Sequence, residues 1–392
     1  MNYILFDDPI IKKNLLPLTY FRPISEIRCG IMNLKEKWEF LLKSAVSYKA
    51  DAYLQEKFPL EITEDNLFIN AAVLPDDNIV ATILSLKNNQ KLIFQNMVLA
   101  ARSSHSDFLD DKNTYEEIIY ASNVMKIQYL SDIFINNSKQ IVLDYERLTY
   151  EKESQLLSKT NTIIGDFPVF LEKGAQAEAS IFNTEDGPIY LGKNVKILEG
   201  SMIRGPFAAL DNSVVKMGAK IYGGTTLGPS TRVGGEIKEV VFLGNSNKGH
   251  DGYLGDSVVG EWCNFGAGTN NSNLKNNYSN VKLWNYNAKD FQDTGIQFCG
   301  LIMGDHSKSG IASMFNTGTV VGVCSNVFGA DYQPKFFPSF KWGGKFLVDY
   351  HYDKALSLAK IVAQRRNIQF TALDERLFKS VFDLVQKIEK NS

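Results

Sequence analysis

From about residue 162 onward, small aliphatic residues recur every six positions, and this register restricts the fold more than any other feature of the chain. The units run Ile189 to Asn194, Val195 to Gly200 and Ser201 to Pro206, then Ser213 to Gly218 and Ala219 to Gly224. Later copies start at Tyr253 and Thr319. Such a repeat suits a parallel β-helix, in which each coil buries against the next a face that it could not bury alone. A β-sandwich of short strands is the competing reading. Against it, the glycines keep step with the six-residue register instead of gathering in hairpin turns. Trp284 to Gln297 breaks the register and reads as a loop extruded from one coil, a position that often borders a site.

At 392 residues the chain needs more than one domain. Residues 1–150 alternate short apolar runs (Tyr3 to Phe6, Asn66 to Ile69, Lys91 to Phe94) with helical patterns over Ile31 to Ala45 and Ile79 to Leu86. That alternation predicts a layered α/β domain. Residues 151–161 read as a polar linker and 162–345 as the β-helix. Residues 346–392 carry helical spacing, with Thr371 and Asp374 placed as a capping box. These helices are expected to cover an open end of the β-helix or to meet a neighbouring subunit.

The formal net charge of −2 supplies no basic field, so neither nucleic acid nor an anionic membrane is an expected partner. The four cysteines, Cys29, Cys263, Cys299 and Cys324, lie far apart, which argues against a zinc site or a disulfide framework. The first residues are unlike a secretory signal, and no apolar run approaches the ~18 residues of a membrane helix. A cytoplasmic protein is expected.

Within the β-helix, Lys248-Gly249-His250-Asp251-Gly252-Tyr253-Leu254-Gly255-Asp256 and the run Asn264 to Asn273 are rich in glycine, amides and polar groups. Glycine lets a ligand approach the backbone closely, so this stretch reads as a site. The competing reading for His250 alone is a solvated loop histidine. A second polar turn, Gly304 to Gly310 with His306 and Lys308, either contacts a ligand or faces solvent. Cys263 and Cys324 read as packing residues.

The run from Glu236 and Lys238 through His250, Tyr253, Asn264 and Gly266-Ala267-Gly268 to Asn273 resembles the acetyltransferase half of a bifunctional family. Its members join N-acetylglucosamine-1-phosphate uridylyltransferase and glucosamine-1-phosphate acetyltransferase activities. The resemblance implies a left-handed β-helix, a homotrimer, and transfer of acetyl from acetyl-CoA to a sugar phosphate or sugar nucleotide. It implies that His250 is the general base, an imidazole suiting that task near neutral pH, with Glu236 as its orienter. Lys238 would bind the sugar phosphate, and Tyr253 and Asn264 the sugar. Gly266, Ala267 and Gly268 would lie along coenzyme A, with Asn273 at the reacting groups. Two positions depart from the family. Ala209 stands where a phosphate-binding arginine is expected, and Leu274 where a tyrosine is expected.

Residues 1–150 resemble the nucleotidyltransferase half of the same family, in divergent form. Leu16-Pro17-Leu18-Thr19 and Arg22-Pro23 fit its signature, but the Gly-x-Gly loop is missing and no acid precedes Asp76 at the end of the second apolar run. Arg22, Arg28 and Lys37 either hold phosphates or are ordinary surface charges. Mg²⁺ is implied only if this half is active. The alternatives to acyl transfer are nucleotidyl transfer with the β-helix as an oligomerisation scaffold, and non-catalytic binding of a sugar nucleotide.

Overall fold

A computed structural model describes residues 1–104 and 115–389. The first domain is built on a six-stranded sheet: β1 (Asn2–Phe6), β2 (Ser47–Lys49), β3 (Asn66–Asn70), β4 (Gln90–Phe94), β5 (Met97–Ser103) and β6 (Glu116–Ile119). Its strand order is β2-β1-β3-β5-β4-β6. β1 runs parallel to β2 and β3, and β5 is antiparallel to β3 and β4. Four helices accompany it: α1 (Pro9–Asn14), α2 (Leu34–Leu42), α3 (Asp77–Leu84) and α4 (Leu130–Thr149).

The periodicity predicts a helix from Ile31, whereas α2 begins at Leu34. The reason is competition for backbone donors. The N–H of Gly30 donates to Asn137, and those of Ile31 and Met32 donate to Asp144 on α4. Asn33 then starts the helix with a capping box to Glu36. Gly30 has φ of 91°, and a Cβ there would fall 2.4 Å from the Asp144 carboxylate, so this contact requires glycine.

Residues beyond the linker form the parallel β-helix expected from the six-residue repeat. Successive coils pair at eighteen-residue spacing, as in Ile189 with Phe207, Lys196 with Val214 and Met202 with Lys220. The interior is a stack of aliphatic and aromatic columns such as Leu191, Ala209, Leu227 and Phe242. Each fully buried side chain of this size contributes roughly 1.5–3 kcal/mol.

The coil has three faces. The first carries Ile181, Met202, Lys220, Glu236 and Tyr253 outward in register. The second presents Phe170, Tyr190 and Ala208, which pack against Ile141 and Tyr145 of α4. Further along, Thr226 hydrogen-bonds Gly30 and Asn137, and Val241, Val258, Ile302 and Val320 join the core of the first domain. The third face carries Lys196, Val214, Arg232, Asn247, Asn264, Lys308 and Asn326. One face of the coil is thus covered by the first domain.

Two helices follow, α5 (Tyr352–Gln364) and α6 (Ala372–Ile388), and Thr371 and Asp374 form the expected capping box. Rather than only covering an end, α6 braces the seam between the two domains. Phe378 touches Phe21 of the first domain and His306 and Phe340 of the β-helix. Beyond α6, Glu389 accepts from Tyr20 and from Ser339.

Candidate functional site

Two nine-residue strands, Glu236–Gly244 and Tyr253–Glu261, run from the first face round a corner onto the second. They make the corner at Glu239 and Asp256, each in the left-handed region with φ of 52° and 47°. Glu236 pairs with Tyr253 and Lys238 with Gly255, so Glu236, Lys238 and Tyr253 share the first face. His250 lies in the turn just before Tyr253, and its residue is exposed. Among the described residues, no hydrogen bond ties its imidazole to Glu236. What fixes the turn is Lys248, whose ammonium donates to the carbonyls of Gly234 (3.2 Å) and His250 (2.9 Å). Lys248 takes an interior position beside Val233, and burial lowers its pKa to about 8.

The turn Gly266-Ala267-Gly268 stacks on the turn of His250, with the N–H of Gly268 donating to the carbonyl of Asp251 at 3.0 Å. The amide run that follows has a structural task. Where the next coil leaves for the loop, the free edge of the Tyr253 strand is satisfied by side chains. Asn270 accepts from the Tyr253 N–H, and Asn271 accepts from and donates to Gly255. Asn273 instead donates from Nδ2 to the Tyr253 hydroxyl at 2.8 Å and to the Asp256 carboxylate. The tyrosine ring folds back over Gly255, where a Cβ would fall 2.2 Å from its hydroxyl.

Asp256 is buried, and its pKa is raised to about 6, first by burial and further by the neighbouring Glu239. Neither acid was singled out in the sequence, although Asp256 closes the Tyr-Leu-Gly-Asp run. Lys238 lies 4.0 Å from Glu239 and over the ring of Phe298. Asn264 stands apart from this group, on the third face, where it accepts from Asn247. Ala209 packs inside the coil, on the strand facing the first domain. An arginine there would not reach the first face. Arg204 and Lys220 do lie on that face, exposed, in the columns of Lys238 and Glu236.

The three cations of the first domain are neither surface charges nor free. Arg22 is buried and bonds Asp305 and Glu261 of the β-helix. Lys37 is fully buried against Asp144. Arg28 bonds the Ile31 carbonyl and Glu36. Arg22, Arg28 and Lys57 line a cavity of about 550 Å³ with Trp262, His306 and Phe378, at the seam braced by α6. His306, read in the sequence as ligand-contacting or solvent-facing, belongs to this aromatic seam, and burial holds its pKa well below the ordinary histidine value. The extruded loop forms a hairpin, Lys282–Asn285 against Asp290–Asp293, that docks on the first domain through Asn285 and Asn14.

Residues 3–153 match the profile of a family described as sugar nucleotidyl transferase. That match covers the first domain. Among curated proteins, the chain is 38% identical over 100 residues to the bifunctional protein GlmU of Methanocaldococcus jannaschii, covering 25% of this chain and 24% of that one. It is 24% identical over 253 residues to GlmU of Wigglesworthia glossinidia brevipalpis, covering 55% and 52%. A bifunctional sugar-1-phosphate nucleotidylyltransferase/acetyltransferase of Sulfurisphaera tokodaii is 34% identical over 93 residues, covering 24% and 23%. The matches thus span from about a quarter to about half the length of these relatives. Among solved structures, the polysialic-acid-specific acetyltransferase NeuO aligns with a TM-score of 0.28 and 13% identity, over 54% of this chain and 99% of that one. An Arabidopsis UDP-N-acetylglucosamine acyltransferase aligns with a TM-score of 0.28 and 13% identity, over 60% and 93%. Among the described residues, no helix is long and apolar enough to cross a membrane.

Proposed function

We propose that the chain is a transferase that moves an acetyl group from acetyl-CoA to an amine or hydroxyl of a sugar phosphate or sugar nucleotide. The observation that carries this reading is the placement of Glu236, Lys238 and Tyr253 on one open face, with the exposed imidazole of His250 in the adjoining turn. His250 takes the proton as the acceptor nitrogen or oxygen attacks the thioester carbonyl. The new C–N or C–O bond forms, the C–S bond breaks, and the thiolate of coenzyme A leaves and is protonated. Glu236, one coil away, orients the imidazole once substrate is bound. The Gly266-Ala267-Gly268 turn, stacked on the turn of His250, lies along coenzyme A, and backbone N–H groups beside the thioester stabilise the tetrahedral oxyanion. Lys238 binds the phosphate, with Lys220 and Arg204 adding charge on the same face. Asn264, on the third face, meets an acceptor only across a subunit boundary, which fits a homotrimer working in the cytoplasm.

The match over residues 3–153 favours a second reading, nucleotidyl transfer by the first domain. Magnesium would serve that reaction, but the described residues at the ends of β1 and β3 do not fit it. Asp7, at the end of β1, accepts from Lys12 and from the Ile24 N–H, and β3 ends in Asn70. Among the described residues, no group of three or more His, Cys, Asp or Glu side chains is placed to hold a metal ion. On the main reading the domain serves to recognise substrate and to brace the β-helix.

Thiol release from acetyl-CoA with glucosamine-1-phosphate tests the main reading. In His250→Ala the rate should fall by about 10²–10⁴-fold with the melting temperature unchanged, as expected for loss of a general base. An undiminished rate in the folded variant would falsify the assignment.

A further inference from the structure

Asn273 spends both protons of its amide inward, one on the Tyr253 hydroxyl and one on the Asp256 carboxylate. Among the described residues, nothing donates to its Oδ1. The Tyr253 hydroxyl, already accepting from Asn273, keeps its own proton for a partner. The two side chains therefore present an acceptor and a donor next to one another on the face that carries Glu236 and Lys238. That orientation is not intrinsic to an asparagine, whose two ends are nearly the same size. A carboxylate can only accept, so Asp256 fixes which end of the amide turns inward.

We infer that Asp256 is a positioning residue that locks Asn273 with its carbonyl toward the open face, so that Asn273 Oδ1 and the Tyr253 hydroxyl together select an acceptor bearing an N–H or O–H beside a second oxygen. This rests on the acyl-transfer reading and adds a determinant of acceptor choice to it. Neighbouring hydroxyl and amine groups of a pyranose ring have that chemistry. Asp256 is held for the task by its corner position, where its left-handed backbone turns the carboxylate in between the coils.

The lock depends on the charge of Asp256. The groups facing it are Glu239 and Lys238 on the neighbouring strand, Tyr253 on its own strand, and Cys299 on the segment returning from the loop. Burial first, and then Glu239, push its pKa up to about 6. Once protonated, it can donate, and the amide is free to turn its oxygen inward. The acceptor KM should therefore rise as the pH falls through about 6, while the KM for acetyl-CoA stays flat.

The test uses the full-length protein, acetyl-CoA and glucosamine-1-phosphate. In Asp256→Ala the acceptor KM should rise about tenfold, with little change in the KM for acetyl-CoA. In Asp256→Asn, which suits a left-handed backbone and does not titrate, the acid-side rise in acceptor KM should vanish. A ligand-free readout separates this inference from the activity. The side-chain amide resonances of Asn273, assigned by their loss in Asn273→Ser, should titrate near pH 6 in the unmodified chain and not in Asp256→Asn. If they titrate but no acetyl transfer occurs, the lock stands and the acyl-transfer reading fails. If they do not titrate, or if both Asp256 variants keep the original acceptor KM and its pH dependence, the inference is overturned.

Discussion

At the scale of single residues, the polar stretch around His250 divides into groups that serve a ligand and groups that serve the backbone. Lys248 is of the second kind. It replaces an aliphatic residue in an interior column and holds the His250 turn through two carbonyls. Its folded pKa, lowered to about 8, lies below the unfolded value of about 10.4. Between those values the unfolded chain binds more protons, so stability should rise with pH across that window. Urea denaturation at pH 7.5 and 9.5 should show this gain, about 2 kcal/mol, and Lys248→Met should lose most of it. A gain of equal size in both proteins would assign the titration elsewhere. The motif residues could be read from the sequence because each is a chemical type at a family-like spacing. Asp256 and Glu239 could not, since their importance arises only when two coils stack their corners. The same limit applies to Ala209. Its neighbours match the family, but only the coil shows that it points inward, while Arg204 lies on the open face.

At the scale of elements, the six-residue period determined the parallel β-helix almost unaided, because every coil repeats the same inside-outside pattern. Helix edges were harder to read. α2 starts late because Asn137 and Asp144, more than a hundred residues away, take the donors of Gly30 to Met32. The burial of two of the basic residues is hidden from the sequence for a related reason, since the partner of Lys37 sits on α4 and those of Arg22 on the β-helix. Lys37→Ala leaves Asp144 buried without its ion-pair partner and should cost about 3–5 kcal/mol in denaturation midpoint analysis. Affinity for glucosamine-1-phosphate in the folded fraction should be unchanged, and a selective loss of that affinity would restore Lys37 as a phosphate ligand. α6 has an equally clear task. Phe378 is 1% exposed and meets aromatic rings from both domains. Phe378→Ala should lower stability by about 3–5 kcal/mol and split one calorimetric transition into two. A single transition at the original temperature would show that α6 does not couple the domains.

At the scale of the whole molecule, the sequence marked out two unlike halves but gave no sign that they share a core. The first domain lies along one face of the coil, and the pairing of Arg22 with Asp305 and Glu261 bonds the family-type signature segment to the β-helix. The hydrogen bond from Tyr20 to Glu389 spans nearly the whole chain. The first domain is thus completed by residues made well after it. During vectorial synthesis, the apolar surface of residues 1–150 must wait on the ribosome for its coils, and the seam closes only after Glu389 has been added. For that interval the nascent first domain is a natural client for chaperones that shield exposed apolar surface.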